Sequence, residues 1–400
     1  MSANAPLTYR PLDASQVEEE ESLRDILIQC FAFPPARWKA YYDLVGAENL
    51  RVLLRDDRVI AGLVLIHMGQ WFGGRSVPMT GIAAVGVEPQ SRAGGIGHTL
   101  MKRMLEELRA LGIPLSALYA STQHLYRGLG YEQAGTRVKY TLSLRELPPS
   151  RRPDRSIPLH AVEATVPGPF KVPYDRLGAA TNGMLDRGRA IWQRVLHRGE
   201  QEVLYAYLVG DREEPDGYVI YALERKDSGH DIGVRDLVAL SPAAYRRLLT
   251  FFLDDRSVAN DVKWCGPPTD PLLCVTEEQQ YSQTSVQERW MLRLVDVPKA
   301  FEARGYPAGI EGELHIEAED DLLPDNAGRW ILRVADGRGT VTRGGRGDLR
   351  GHVRGLAPLY SGMLTPADLA RVGWIEAPPP VLDAAARIFG GPQPWMPDSF

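Results

Sequence analysis

The segment that most limits the fold is Val85-Gly86-Val87-Glu88-Pro89-Gln90-Ser91-Arg92-Ala93-Gly94-Gly95-Ile96-Gly97-His98. Its apolar start reads as the end of a strand. After it, Ile96, Leu100, Met101, Met104, Leu105, Leu108 and Leu111 recur at helical spacing until Gly112 stops the pattern. A strand joined to an amphipathic helix by a loop of arginine and glycines calls for a sheet with helices packed on it. The junction also suits an anion: the first N–H groups of a helix have no partner, the dipole favours negative charge, and Gly95 and Gly97 allow close backbone approach. A plain turn that starts a helix would use the same residues, so the pattern alone leaves both readings open.

Around this junction the chain alternates short strands and helices. Residues 50–55 and 59–70, split by Asp56-Asp57, read as a hairpin. Further strands are expected near 81–87, 115–119 and 131–142, with a short helix around Leu125. Pro148 to Pro158 is rich in proline and arginine and reads as a boundary. Beyond it the order repeats: apolar segments at 202–209 and 216–223, a strand at 234–240 and a helix at 242–253. From Trp290 onward the plan changes to strands at 312–317, 328–334 and 339–342 followed by helices at 353–361, 366–371 and 381–389. Three domains are expected, 1–147, 148–288 and 289–400, in an α+β fold of mixed strands and helices.

Composition narrows the function. With 51 acidic and 46 basic residues in mixed order the net charge is -5, so no basic stripe favours nucleic acid. The apolar run Val59 to Ile66 is far shorter than the roughly 20 residues of a membrane span, and the start at Met1 carries no targeting pattern, which predicts no membrane partner and a cytoplasmic location. Cys30, Cys265 and Cys274 are too few for a disulfide framework and read as reduced, mostly buried thiols.

Two rival loops fail on their residues. Gly95-x-Gly97 begins a dinucleotide fingerprint, but Leu100 fills its third glycine position and no acid ends the next strand. No Gly-Lys-Ser or Gly-Lys-Thr follows, as a P-loop needs. Instead, Arg92-x-x-Gly95-x-Gly97 after Val85-Gly86-Val87 resembles the pyrophosphate-binding motif of the GNAT N-acetyltransferase superfamily. Ala117-Leu118-Tyr119-Ala120-Ser121, Leu125-Tyr126-Arg127-Gly128-Leu129-Gly130-Tyr131, Leu292-Arg293-Leu294-Val295-Asp296-Val297-Pro298 and Glu302-Ala303-Arg304-Gly305-Tyr306 are similar to the enhanced intracellular survival (Eis) family within it.

That resemblance implies two tandem GNAT-like domains, the first active and the central one degenerate, then a domain like sterol carrier proteins, assembled as a homo-hexamer. It implies acetyl transfer from acetyl-CoA to primary amines of an aminoglycoside-like small molecule or a lysine side chain. Cofactor contacts then fall on Val85, Gly86, Val87, Arg92, Ala93, Gly94, Gly95, Ile96, Gly97, His98, Ser121 and Thr122. Ala93, Gly94 and Gly97 leave this loop less basic than the arginine-rich loops of some family members. Tyr126 is implied as general acid, although by itself it reads as a packed aromatic. The α-carboxylate of Phe400 is implied as proton acceptor; the plain alternative is a ring that only plugs a groove. His98 and His124 read as surface residues, and Arg346-Gly347-Asp348 as a solvated turn. A different class of function, a lipid or acyl-CoA carrier built on the third domain, is the rival.

Overall fold

The computed structural model describes residues 6–92, 94–147, 153–197, 202–276 and 284–400. The first domain opens with β1 (Leu7–Pro11), α1 (Val17–Phe31) and α2 (Trp38–Val45). Then come β2 (Leu50–Arg55), β3 (Arg58–Phe72) and β4 (Arg75–Val87). Asp56 and Asp57, at φ 49° and 58°, make the expected hairpin turn between β2 and β3, in the left-handed geometry that matches strand twist. Next are α3 (Ile96–Ala110), β5 (Leu115–Leu118), α4 (Gln123–Arg127) and β6 (Glu132–Ser143). The periodic residues Ile96, Leu100, Met101, Met104, Leu105 and Leu108 form the buried face of α3.

The central domain holds β7 (Leu159–Val162), α5 (Gly168–Ala179), β8 (Leu185–Asp186) and α6 (Arg189–Leu196). It continues with β9 (Leu204–Gly210), β10 (Pro215–Arg225), β11 (His230–Ala239), α7 (Pro242–Asp254), β12 (Ala259–Gly266), α8 (Pro271–Cys274) and β13 (Thr284–Leu294). The run β9-β10-β11-α7-β12 repeats β2-β3-β4-α3-β5. The third domain has α9 (Val297–Ala303), β14 (Gly312–Glu319), β15 (Gly328–Ala335), β16 (Arg338–Arg343) and β17 (Leu349–His352). It ends with α10 (Val353–Ser361), α11 (Pro366–Arg371), β18 (Ile375–Glu376) and α12 (Pro379–Phe389).

The two GNAT-like halves share one sheet in the order β1-β2-β3-β4-β5-β13-β6-β12-β11-β10-β9-β7, with β8 beside β3. β13 straddles residues 288 and 289 and lies antiparallel between β5 and β6, with Leu292 opposite Ala117 and Trp290 opposite Gly135. The third domain's sheet runs β16-β15-β14-β17-β18. On one face of the first half, α3 covers Leu53, Leu63 and Leu65; on the other, α1 and α2 join an apolar core that continues through Phe72 and Phe301 into Leu332 and Leu356 of the third domain. Among the described residues no helix is long and apolar enough to cross a membrane. Cys30 and Cys265 are half-buried, whereas Cys274 is exposed, because it closes the short α8 at the surface and not in the core.

Candidate active site

β4 and β5 pair in parallel only at Met79–Leu115, Thr80–Ser116 and Gly81–Ala117. Beyond Gly81, β4 runs on to Val87 with no β5 partner, so the two strands part. The cause lies in β4. Its pairing with β3 takes Gly62 opposite Gly86 but Val64 opposite Ala83, which leaves one extra residue on β4. Ala84 takes this bulge at φ 50°, a left-handed conformation that costs a non-glycine roughly 1–3 kcal/mol. From Ile82 to Val87, β4 therefore has no partner on β5.

One face of the gap meets the start of α3. Gly95 caps that helix at φ 73°, with no side-chain cap. Thr99 N–H reaches Gly95 O at 2.9 Å, and the N–H groups of Ile96, Gly97 and His98 precede it with no acceptor inside the helix. A Cβ at Gly95 would meet nothing within 4 Å, so the space beside this helix start is open. Tyr126 on α4 is buried on the same face with Ile82, Ile96 and Leu118, its ring edge-on to Tyr131 at 6.1 Å. Burial pushes its phenol above the ordinary tyrosine range.

The opposite face carries Phe400. Its ring stands edge-on to Tyr119 at 5.8 Å, and a Cβ on Gly81 would lie 2.7 Å from Phe400 Cε2 and 2.5 Å from Met68 Cε. Gly81 is the last residue of β4 paired with β5, so Phe400 sits where those two strands begin to part. The segment leading to it is tied down: Thr136 N–H to Pro394 O at 3.1 Å, Met396 N–H to Thr136 O at 3.1 Å and Trp395 N–H to Asn182 O at 3.0 Å. Arg137 Nε donates to Pro397 O at 2.8 Å and Tyr119 OH to Asp398 O at 2.8 Å.

Known proteins identify the fold in which this strand gap and helix start occur. Models of the acetyltransferase (GNAT) domain match residues 9–134 and 183–294, and one of the sterol carrier protein domain matches 297–397. An N-acetyltransferase of Streptomyces avermitilis, itself uncharacterized, is 30% identical over 346 residues, covering 82% of this chain and 83% of that protein. The N-acetyltransferase Eis of Mycobacterium tuberculosis is 28% identical over 66% of each chain. Among solved structures, a GCN5-related N-acetyltransferase from Anabaena variabilis superposes with a TM-score of 0.94 at 40% identity, over 99% of this chain and 100% of that one. Eis1 from Mycobacterium abscessus gives 0.80 at 26% identity, over 99% and 100%. The chain belongs to the Eis family of GNAT N-acetyltransferases.

Within this Eis-family acetyltransferase the residues singled out in the sequence divide by location. Gly94, Gly95, Gly97 and His98 gather at the α3 start, where Gly94, Gly95 and His98 are exposed; Ile96 contributes only backbone, its side chain being core. Ala93 lies outside the described residues. Arg92 turns back, Nε to Val87 O at 3.2 Å and Nη2 to Cys30 Sγ at 3.3 Å. Val85 and Val87 pack against the α3 core, and Gly86 gives α1 room, since a Cβ there would lie 2.7 Å from Leu27 Cδ2. Ser121 and Thr122 are exposed ahead of α4, and His124 is exposed on it. Sequence reasoning missed Ala84, Gly81, Met68 and Asp398. An alanine in a strand signals no bulge, and the packing of Gly81 under Phe400 joins residues far apart in the chain.

Proposed function

We propose that the chain moves the acetyl group of acetyl-CoA to a primary amine of a cationic acceptor, an aminoglycoside-like molecule or a lysine side chain. The amine attacks the thioester directly in the gap between β4 and β5. The observation that carries the reading is the pairing of an open, uncapped α3 start with the buried Tyr126 and the half-buried Phe400 on opposite faces of one strand gap.

The residues fit the co-substrate. The N–H groups of Ile96, Gly97 and His98 would hold its pyrophosphate, with Arg92, Ser121 and Thr122 beside them. Acetyl-CoA supplies the activated acyl group. Free backbone groups of β4 at the bulge would receive the oxyanion as the C–N bond forms. Tyr126, with a reference pKa of about 10 against about 8.5 for a thiol, keeps its proton at neutral pH and gives it to the sulfur as the C–S bond breaks. The Phe400 α-carboxylate would hold the incoming ammonium and take the proton that the amine releases, directly or through water. A net charge of -5 favours a cationic acceptor.

The carrier reading is weaker. The third domain carries a charge in its interior, the fully buried Arg304 guanidinium 5.0 Å from the Tyr306 and Tyr360 rings and 5.1 Å from Phe389, which an apolar ligand would have to face.

Release of free CoA, measured across aminoglycosides, polyamines and lysine peptides, tests the activity. No acetylation of any of them would overturn it. Deletion of Phe400 or extension beyond it should lower kcat strongly with acetyl-CoA still bound, while Phe400→Leu keeps much of the turnover. We also propose a homo-hexamer with one site per chain and a cytoplasmic location; a stable monomer in sedimentation at micromolar concentration would remove the hexamer.

A further inference from the structure

The central domain keeps the strand gap of the first without its helix start. β11 and β12 pair in parallel as far as Gly233–Lys263. Just beyond, β10 advances from Ile220 to Tyr221 while β11 moves from Asp236 to Val234, an extra residue at the same place as the β4 bulge. Asp236 therefore stands where β11 leaves β12, as Phe400 stands where β4 leaves β5. No phosphate loop serves this second gap. Beside Asp236 lies Arg187, which also holds Asp398, two residues before Phe400.

Arg187, between β8 and α6, joins the two. Its Nε reaches Asp398 Oδ1 and Oδ2 at 3.0 and 3.1 Å, and its Nη2 reaches Asp398 Oδ1 at 2.9 Å and Asp236 Oδ1 at 3.0 Å. Nη1 donates to Asp236 Oδ2. Tyr218 OH donates to Asp236 Oδ2 at 2.6 Å and Tyr174 OH to Asp398 Oδ2 at 3.2 Å. The Tyr174 ring lies 3.8 Å under the guanidinium. The side chains of Arg187, Asp236 and Asp398 are 1%, 1% and 4% exposed. A planar fork bonded to two carboxylates fixes both distance and orientation, which a point charge would not do.

We infer that Asp398 is a positioning residue: the central gap, through Arg187 and Asp236, anchors it and so sets Phe400 at the reaction centre of the first domain. This rests on the reading that Phe400 serves there. Chain ends fray unless tied down. Two extended residues reach about 7 Å at most, so an anchored Asp398 leaves Phe400 little latitude. Tyr119 completes the link, bonding Asp398 through its hydroxyl and packing its ring on Phe400. The central domain thus acts on catalysis without binding a co-substrate of its own.

The test is a double-mutant cycle on the full chain. Asp398→Asn should lower kcat on the order of 10²-fold, the usual cost of misplacing a reacting group by about 1 Å, with acetyl-CoA affinity by calorimetry unchanged. In a chain lacking Phe400 the same substitution should cost nothing more, because it acts only through that residue. Arg187→Lys, which keeps the charge and loses the fork, should reproduce the kcat loss and covers the case in which Asp398→Asn does not fold. Wild-type kcat in Asp398→Asn or Arg187→Lys, when removal of Phe400 abolishes turnover, overturns the anchor and leaves the role of Phe400 intact. Full kcat without Phe400 removes that role and the anchor with it.

Discussion

α3 and α7 follow equivalent strands in two copies of one element order, and their caps differ. At α3, Gly95 at φ 73° offers no side chain, so the N–H groups of Ile96, Gly97 and His98 have no side-chain cap beside an open space at Gly95. At α7, Ser241 Oγ accepts from Ala244 N–H at 3.1 Å and Pro242 at the first helical position has no N–H to offer. A cap that satisfies a helix removes it as an anion site. The first half leaves these donors without a side-chain cap and the central half caps its helix, so the proposed pyrophosphate site falls on α3 and not on α7.

The comparison breaks first at stoichiometry. Calorimetry should find one acetyl-CoA per chain, and Gly95→Glu should reduce that to none, since a carboxylate would stand in the pyrophosphate space on a backbone no longer suited to its residue. Two molecules bound per wild-type chain would show that the capped half also binds. Next in size, Tyr126→Phe should lower kcat by about 10²–10⁴-fold with acetyl-CoA affinity intact, the range of a lost general acid; a loss under threefold would make Tyr126 a packing residue.

Acid and base conditions sharpen the same site. Burial favours the neutral phenol and so raises its pKa, which extends the proton-bearing form of Tyr126 to more alkaline pH. The profile of kcat should therefore rise as the acceptor amine loses its proton and show no falling limb below about pH 10. A limb between pH 7 and 9 common to several amines would point to another acid. The smallest effect belongs to the capped half: Ser241→Ala should cost about 1 kcal/mol of stability in a denaturant titration and leave turnover unchanged. A change in acetyl-CoA binding in that variant would mean that the two helix starts are not as different as their caps.

Much of the fold is legible because its cause is local. The hairpin of β2 and β3, the buried face of α3 and the β15–β16 hairpin, which turns at Asp336-Gly337 with φ 51° and 70°, follow from periodicity and turn chemistry within a few residues. α1, α2 and α5 are harder to read. α1 begins with Glu18 to Glu21 and buries only Glu19, Leu23, Ile26 and Leu27, and α5 carries Pro173 in its middle. The sequence shows only that the plan changes at Trp290; that β13 is a strand and lies between β5 and β6 comes from long-range pairing. The loop of the candidate site is visible in glycines and an arginine. The gap it serves is not, because Ala84 has no sequence mark of a left-handed residue.

By itself, then, the sequence determined the strand, loop and helix of the first half, the repeat of that plan, and the likeness to Eis acetyltransferases, each of them read from short segments whose pattern is local. Tertiary structure alone decided that Phe400 meets Gly81 and that Arg187 pairs with Asp398 from 211 residues away. The reason is physical: spacing along a chain sets which face a side chain takes, while the partner of a buried charge is chosen by whichever opposite charge the completed fold brings beside it, where neither can remain unpaired.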